Sequence, residues 1–363
     1  MSATKCNVLF LLPYPLGQAP SQRFRVENLL PLLDEVGIGY TLRPFMSPRT
    51  WQVLYKGGSM LQKAMGILKG YLQRCRTVLT EARRHDWIFI HREASPLGPP
   101  VFEWYLKKVL RKKIIYDFDD AIWIPNTSVQ NKLAASLKAF WKVGRICRWS
   151  HTVTGGNKYL CQYAITAGAP HVVLIPTVVD TTKRYNRLKE HHAGRPTIGW
   201  TGSHSTLKYL DTVMPALKEL ERTYDFTFLV IADKKPELSL KDWQFIQWNA
   251  ATEIEDLLKI DIGLMPLTAD AWSEGKCGFK LIQYLALGIP AVASPIGVNK
   301  IIVQEGINGY LADNDNNWEK GIALLINDYD QRLKFGFMGR ELIVEKFSIT
   351  SQKQIFLNLF RNP

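Results

Sequence analysis

The chain has little that would staple it covalently or anchor it in a bilayer. Its 363 residues include only five cysteines (Cys6, Cys75, Cys147, Cys161 and Cys277), odd in number, widely scattered and without C-x-x-C spacing. That pattern argues against a disulfide framework and a zinc site, and it points to a reducing cytoplasm. No segment reaches the roughly 18 uninterrupted apolar residues that a membrane-spanning helix needs. The apolar run nearest the start, "NVLFLLPYP", is short, is broken by prolines and has no small-residue cleavage site behind it, so it reads as a first β-strand. The stretch "LPYPLGQAPSQ" lacks G-x-G-x-x-G, which removes the signature of a dinucleotide-dependent oxidoreductase. Low-complexity tracts and a repeat between the two halves are also missing.

Acidic residues are scarce in one half only. Residues 1–190 carry 28 Lys and Arg against 12 Asp and Glu, a net of +16, and residues 191–363 carry 18 against 21, a net of −3. The whole excess of +13 therefore belongs to the first half. Basic clusters there, "KKVLRKK" (107–113), "RCR" (74–76) and "EARRH" (81–85), interleave with Trp, Tyr and Leu. Such a surface suits anionic lipid headgroups or a polyanion, the alternative being ordinary solvated helix faces.

At this length two domains are expected, and an apolar content of 46% is enough to give each a core. Strand-like runs alternate with helix-length segments in both halves: "CNVLFLLPYP", "GYTLRPF", "DWIFIHRE", "KIIYDFDD", "HTVTGG" and "HVVLIPTVVD" in the first, "TIGWTG", "FTFLVIAD", "DIGLMPL" and "PAVASPIG" in the second. Alternation of this kind implies parallel βαβ units. The domains are placed at 1–180 and 181–345, with a helix in 346–363 expected to pack back on the first.

Residues 274–297, "EGKCGFKLIQYLALGIPAVASPIG", hold the clearest site signal. Phe279, Leu281, Ile282 and Leu285 make an apolar helix side that ends at Gly288 with Pro290 beyond, and Ala291 begins a short buried strand. A helix whose first turn follows a glycine offers unpaired N–H groups and a positive dipole end to an anion, and Lys276 and Lys280 add charge there. Lys280 and Gln283 share a face, so one can touch a phosphate while the other reaches a hydroxyl, as a nucleotide bearing a sugar requires. Solvated lysines at a helix start are the other reading of this stretch.

In order and spacing, "IGWTGSHSTLKYL", "EIEDLLKIDIGLMPL", "GKCGFKLIQYLALGIPAVAS" and "GINGYLA" resemble the donor-binding domain of GT-B glycosyltransferases of family 4. "VVLIPTVVD" is similar to that family's interdomain segment, and "GKCGFK" followed by "QYLA" to the form used by a bacterial subgroup. The likeness covers most of residues 150–350; before that it lies mainly in strand and helix order. It implies an α/β GT-B fold, two facing Rossmann-like domains with a cleft between them. It also implies a UDP- or GDP-linked sugar held mainly by the second domain, and transfer with retention at the anomeric carbon. The nucleotide sugar is a co-substrate, with no resident cofactor and no metal.

The same resemblance assigns residues. Gln283 stands at the second glutamate of the family's E-x7-E, which bonds ribose hydroxyls, and Glu274 matches the first only with a one-residue shift. Gly278 and Phe279 join Lys276 and Lys280 in the donor set. The family's Gly-Arg clamp becomes Gly202-Ser203, with Lys208 keeping the six-residue spacing; Ser203, Ser205 and Thr206 would bond diphosphate oxygens or cap the next helix. Trp248 falls near the nucleotide base or in the core. In the first domain "IIYDFDDAIW" brings Asp117, Asp119 and Asp120 to a strand end. Its D-x-D spacing is that of the GT-A metal motif, which the second-half series outweighs. Asp119 lies about where the family often has a histidine near the reacting sugar, which implies a catalytic carboxylate, and Asp120 is grouped with the acceptor. Arg23 and Arg25 in "SQRFR" are placed to hold an acceptor phosphate, and Gly17 permits close approach of the chain to the donor.

The resulting expectation is a cytoplasmic glycosyltransferase, peripheral on the inner face of the membrane. Its catalytic residues are Asp119, Lys276 and Lys280, and its acceptor is lipid-linked or a cell-surface glycan precursor. A GT-B nucleotide-sugar epimerase is the first alternative. A non-catalytic nucleic-acid-binding protein would explain the charge but leaves the second-half motifs without a role, so no nucleic-acid partner is expected.

Overall fold

The computed structural model describes residues 6–54, 58, 60–125 and 138–361. The chain falls into two compact units, one formed by residues 1–177 together with 352–363 and the other by Val178–Ser351. Each is built on a six-stranded sheet whose neighbouring strands are all parallel.

In the first unit the strands are β1 (Asn7–Leu12), β2 (Gly39–Pro44), β3 (Trp87–His91), β4 (Lys113–Phe118), β5 (Thr152–Gly155) and β6 (Val172–Leu174), in the spatial order β2-β1-β3-β4-β5-β6. From Val8 to Leu12 β1 is fully buried, as expected of a parallel strand covered on both faces. The helical stretch after β1 is three pieces, Pro20–Arg25, a 3-10 turn Glu27–Leu29 and Leu30–Glu35. Pro31, which has no N–H, sits at the start of the last piece. Residues after Gln352 complete this unit's core: Phe360 is buried, with its ring 6.5 Å from those of Phe10, Trp87 and Phe89.

In the second unit β7 (Thr197–Gly202), β8 (Thr227–Ala232), β9 (Trp243–Gln247), β10 (Ile262–Met265), β11 (Ala291–Ala293) and β12 (Gly309–Leu311) lie in the order β12-β11-β10-β7-β8-β9. This is the 3-2-1-4-5-6 order of the Rossmann fold, whereas the first unit follows the flavodoxin-like order with one strand added. The sequence reading did not anticipate β9. It is an edge strand and only partly covered, so no apolar run marks it.

Both sheets reverse direction of growth once, between β1 and β3 and between β7 and β10. Ligands of open α/β sheets bind outside the carboxyl ends of the strands at such a point. In the second unit the helix Phe279–Ala286 is laid close over this point. Gly263 on β10 leaves room for the Tyr284 ring, which an added Cβ would approach to 2.4 Å. The Tyr284 hydroxyl then accepts the Thr201 N–H of β7 at 2.9 Å.

Candidate functional site

The site in the second unit begins with a backbone conformation. Gly278 precedes the helix Phe279–Ala286 at φ 65°, in the left-handed region. A Cβ there would lie 2.4 Å from Ile302 Cδ1 and 3.0 Å from Val298 Cγ1. Only glycine suits both the turn and the space. The residue that opens the helix therefore contributes no side-chain cap. Lys280 Nζ lies 5.3 Å from the centre of the Trp200 ring on β7, and Lys276 Nζ 5.2 Å from that of Trp272. Two ammonium groups thus sit on aromatic faces beside a helix N-terminus at the β7–β10 switch point.

The loop after β7 is tightened by its own hydroxyls. Thr206 Oγ1 accepts the Ser203 N–H at 3.2 Å and donates to the Ser203 carbonyl at 3.0 Å, and Ser203 and Ser205 hydroxyls lie 2.8 Å apart. Asp233 at the end of β8 holds His204 through its ring at 2.6 Å.

In the first unit a polar chain crosses the β1–β3 switch point. Asp117, at the end of β4 and 1% exposed, accepts from Arg25, from His91 Nδ1 at 2.8 Å and from Thr154 Oγ1 at 2.7 Å. His91 Nε2, on β3, is 2.9 Å from Ser21 Oγ, and Ser21 donates to Asp119 Oδ1 at 2.7 Å. Arg92, held at φ 58°, spans Asp119 and Asp120. Burial alone would raise the Asp119 carboxyl, but the charge of Arg92, helped by His91 and the Ser21 bond, keeps it well below the usual carboxylate range. Ser21, His91 and Asp117 have the spacing of a nucleophilic triad. The line does not end at the hydroxyl, however: Ser21 donates its hydrogen bond onward to a second carboxylate, Asp119.

Comparisons agree with this architecture. Residues 195–328 match the family model described as glycosyl transferases group 1. The Anabaena protein HepE, solved in complex with UDP-glucose, is 15% identical over 98% of this chain and 100% of its own, with a TM-score of 0.67. Sucrose-phosphate synthase from Thermosynechococcus elongatus is 13% identical over 98% of both chains at 0.72, and a glycosyltransferase from Rickettsia africae 15% identical over 99% and 100% at 0.69. The fold is GT-B. A search of curated proteins by sequence finds no match.

Within the GT-B fold the predicted residues separate into groups. Lys276, Gly278, Phe279 and Lys280 come together at the helix start. Gly202, Ser203, Ser205 and Thr206 stand at the end of β7, where Thr206 is a cap, and Lys208 is exposed with Nζ 5.3 Å from the Tyr209 ring centre. Gln283 is buried and its amide donates to Tyr185 Oη at 2.8 Å. Glu274 ends the short helix Ala271–Glu274, and its backbone packs against Gly297. Trp248, after β9, is half-buried with its indole N–H donating to Glu253 at 3.2 Å. Gly17 has φ 76° and gives its N–H to Glu27 at 2.9 Å.

Several expectations need correcting. Arg25 is not an open phosphate hook: it is 3% exposed and committed to Asp117 and the Ile175 carbonyl. Arg23 is 5% exposed, with its guanidinium 5.1 Å from the Phe24 ring. Asp117, too, is engaged within the fold, by Arg25 and His91. Of the run 107–113, Lys112 donates to the carbonyls of Arg83 and His85 and Lys113 lies over the Trp87 ring, leaving Lys108 and Arg111 exposed. Ser21, His91 and Arg92 were missed. The only sequence signal for the last two was their place at the end of "DWIFIHRE", a strand end in a parallel sheet.

Proposed function

We propose that this protein is a retaining glycosyltransferase of the family 4 type, moving a sugar from a UDP- or GDP-sugar to a lipid-linked acceptor at the inner face of a membrane. The observation that carries the reading is the glycine-led helix start at Gly278, flanked by Lys276 and Lys280 at the switch point of the second unit. Its N–H groups and the two ammonium charges are suited to a diphosphate. HepE, of the same fold, is solved with UDP-glucose. Gly202 and the Ser203 and Ser205 hydroxyls border the phosphates, Lys208 and Glu274 flank them, Gln283 serves the ribose, and Trp248 lies toward the base.

In the reaction the bond from the anomeric carbon to the donor phosphate oxygen breaks while the acceptor oxygen bonds to that carbon on the same face. The acceptor proton passes to the departing diphosphate, whose charge Lys276, Lys280 and the helix N–H groups stabilise. No enzymatic nucleophile is required. Asp119, kept ionised by Arg92, orients the acceptor hydroxyl, with Asp120 fixed beside it by the same arginine. The basic excess of the first 190 residues, +16, supports an anionic membrane surface as the place of action.

A thermal-shift screen tests the donor half of the reading. A nucleotide at about 100 times its dissociation constant adds roughly 2.7 kcal/mol to stability. UDP or GDP and one of their sugars are expected to raise the melting temperature of the wild type but not of Lys276→Ala/Lys280→Ala. No shift with any nucleotide or nucleotide sugar would overturn the function.

A further inference from the structure

The helix Met60–Arg76 is attached to the first unit by one face only. Gly70 lies so close to Phe45 that an added Cβ would approach its ring to 2.6 Å, and Arg74, 2% exposed, donates to the carbonyls of Arg43 and Leu12. On the other face Leu61, Met65, Leu68 and Leu72 are 74%, 62%, 60% and 64% exposed. At 100° per residue these four fall within about 60° of one another, opposite Gly70 and Arg74. Single exposed apolar residues are ordinary, but a continuous stripe of four marks an interaction surface.

Its surroundings select the partner. Residues 60–80 contain Lys63, Lys69, Arg74 and Arg76 and no Asp or Glu. The helical geometry puts Lys69 and Arg76 along one border of the stripe. A second copy of this chain would bring another strongly basic surface against it. A nucleic acid would satisfy the charges and leave the leucines wet. An anionic bilayer satisfies both, with acyl chains for the stripe and headgroup phosphates for its basic border.

We propose that the outer face of Met60–Arg76 is an insertion surface that seats the first unit on an anionic lipid bilayer, the helix lying in the plane of the interface. The proposal deepens the membrane part of the function above and rests on it, but it does not depend on sugar transfer. The helix supplies the apolar contact, and the wider basic surface the electrostatic one.

The test is sedimentation of the full chain with phosphatidylglycerol vesicles, beside Leu68→Gln/Leu72→Gln. Glutamine keeps helix propensity, so the fold is retained, which circular dichroism checks. Loss of each leucine's burial lowers affinity about tenfold, so the double variant is expected to bind about a hundredfold more weakly. The melting-temperature shift with UDP, or with GDP if that is the nucleotide bound, is unchanged. Equal vesicle binding by a folded double variant would overturn insertion. So would a wild type that ignores the vesicles, or one that uses this face only to dimerise. Vesicle binding that depends on the leucines in a protein that binds no nucleotide would uphold the surface while overturning the transferase reading.

Discussion

Replacing Asp117 by Asn removes one charge and leaves another with nowhere to go. The Arg25 and Asp117 side chains are each 2% exposed, and the carboxylate also receives His91 at 2.8 Å and Thr154 at 2.7 Å. An asparagine keeps one acceptor oxygen and turns an NH2 group toward donors. The Arg25 guanidinium is then buried against a neutral amide, while its bond to the Ile175 carbonyl supplies no charge to balance it. Breaking a buried pair from one side costs about 3–5 kcal/mol. That is a large fraction of the roughly 5–15 kcal/mol that holds a typical domain. Urea unfolding followed by tryptophan fluorescence and circular dichroism should show the loss as a lower midpoint at unchanged slope. Adding Arg25→Met removes the stranded charge, so the double variant should recover at least about 2 kcal/mol relative to the sum of the single effects. Acid adds a second readout. Burial alone would raise the Asp117 carboxyl, but the Arg25 charge and the His91 bond bring it below its ordinary value. Its stabilisation is present above the unfolded pKa of about 3.9 and is lost as pH falls toward the folded value. Asp117→Asn should therefore lose stability less steeply than the wild type below about pH 4. A variant within about 1 kcal/mol of wild type, with an unchanged acid profile, would refute a stabilising role for the buried Arg25–Asp117 pair.

Lys280→Ala should lower turnover by about 2–4 kcal/mol in transition-state stabilisation while leaving a folded protein, since the lost contact with Trp200 is worth only about 1 kcal/mol; wild-type turnover would remove Lys280 from the mechanism. Gly278→Ala, facing both a left-handed φ and the 2.4 Å approach to Ile302, should destabilise the second unit by about 2–5 kcal/mol and weaken nucleotide binding, checked by unfolding and thermal shift. Turnover is expected to survive EDTA, because lysines and helix N–H groups are proposed to neutralise the leaving diphosphate; complete loss, restored by magnesium or manganese, would sink that account.

The helix that frames the candidate second-unit site was legible because its signals are local. Apolar spacing from Phe279 to Leu285, Gly288 and Pro290 mark a helix and its end within a dozen residues, and the helix is there from Phe279 to Ala286. The polar chain of the first unit was not legible, because Ser21, His91 and Asp117 meet only when β1, β3 and β4 are laid side by side. Arg25 misled for a related reason: an arginine in a short polar stretch reads as a surface charge until its partner, far along the chain, is known. In β9 the residues are partly covered at a sheet edge, so neither alternation nor an apolar run announces the strand.

The placement of Phe360 in the first unit bears on how the chain is made. Its ring joins those of Phe10, Trp87 and Phe89, which leave the ribosome hundreds of residues earlier. Domains generally fold in the order of their synthesis, amino-terminal first. Here the unit that begins first is closed last, after Val178–Ser351 has already emerged entire and free to fold. Until then its oldest strands wait with an aromatic gap open to water, a period in which a nascent-chain chaperone would find them. A fragment cut at residue 177 would keep that gap for good, and a faithful isolated first unit would have to be spliced from residues 6–177 and 352–361.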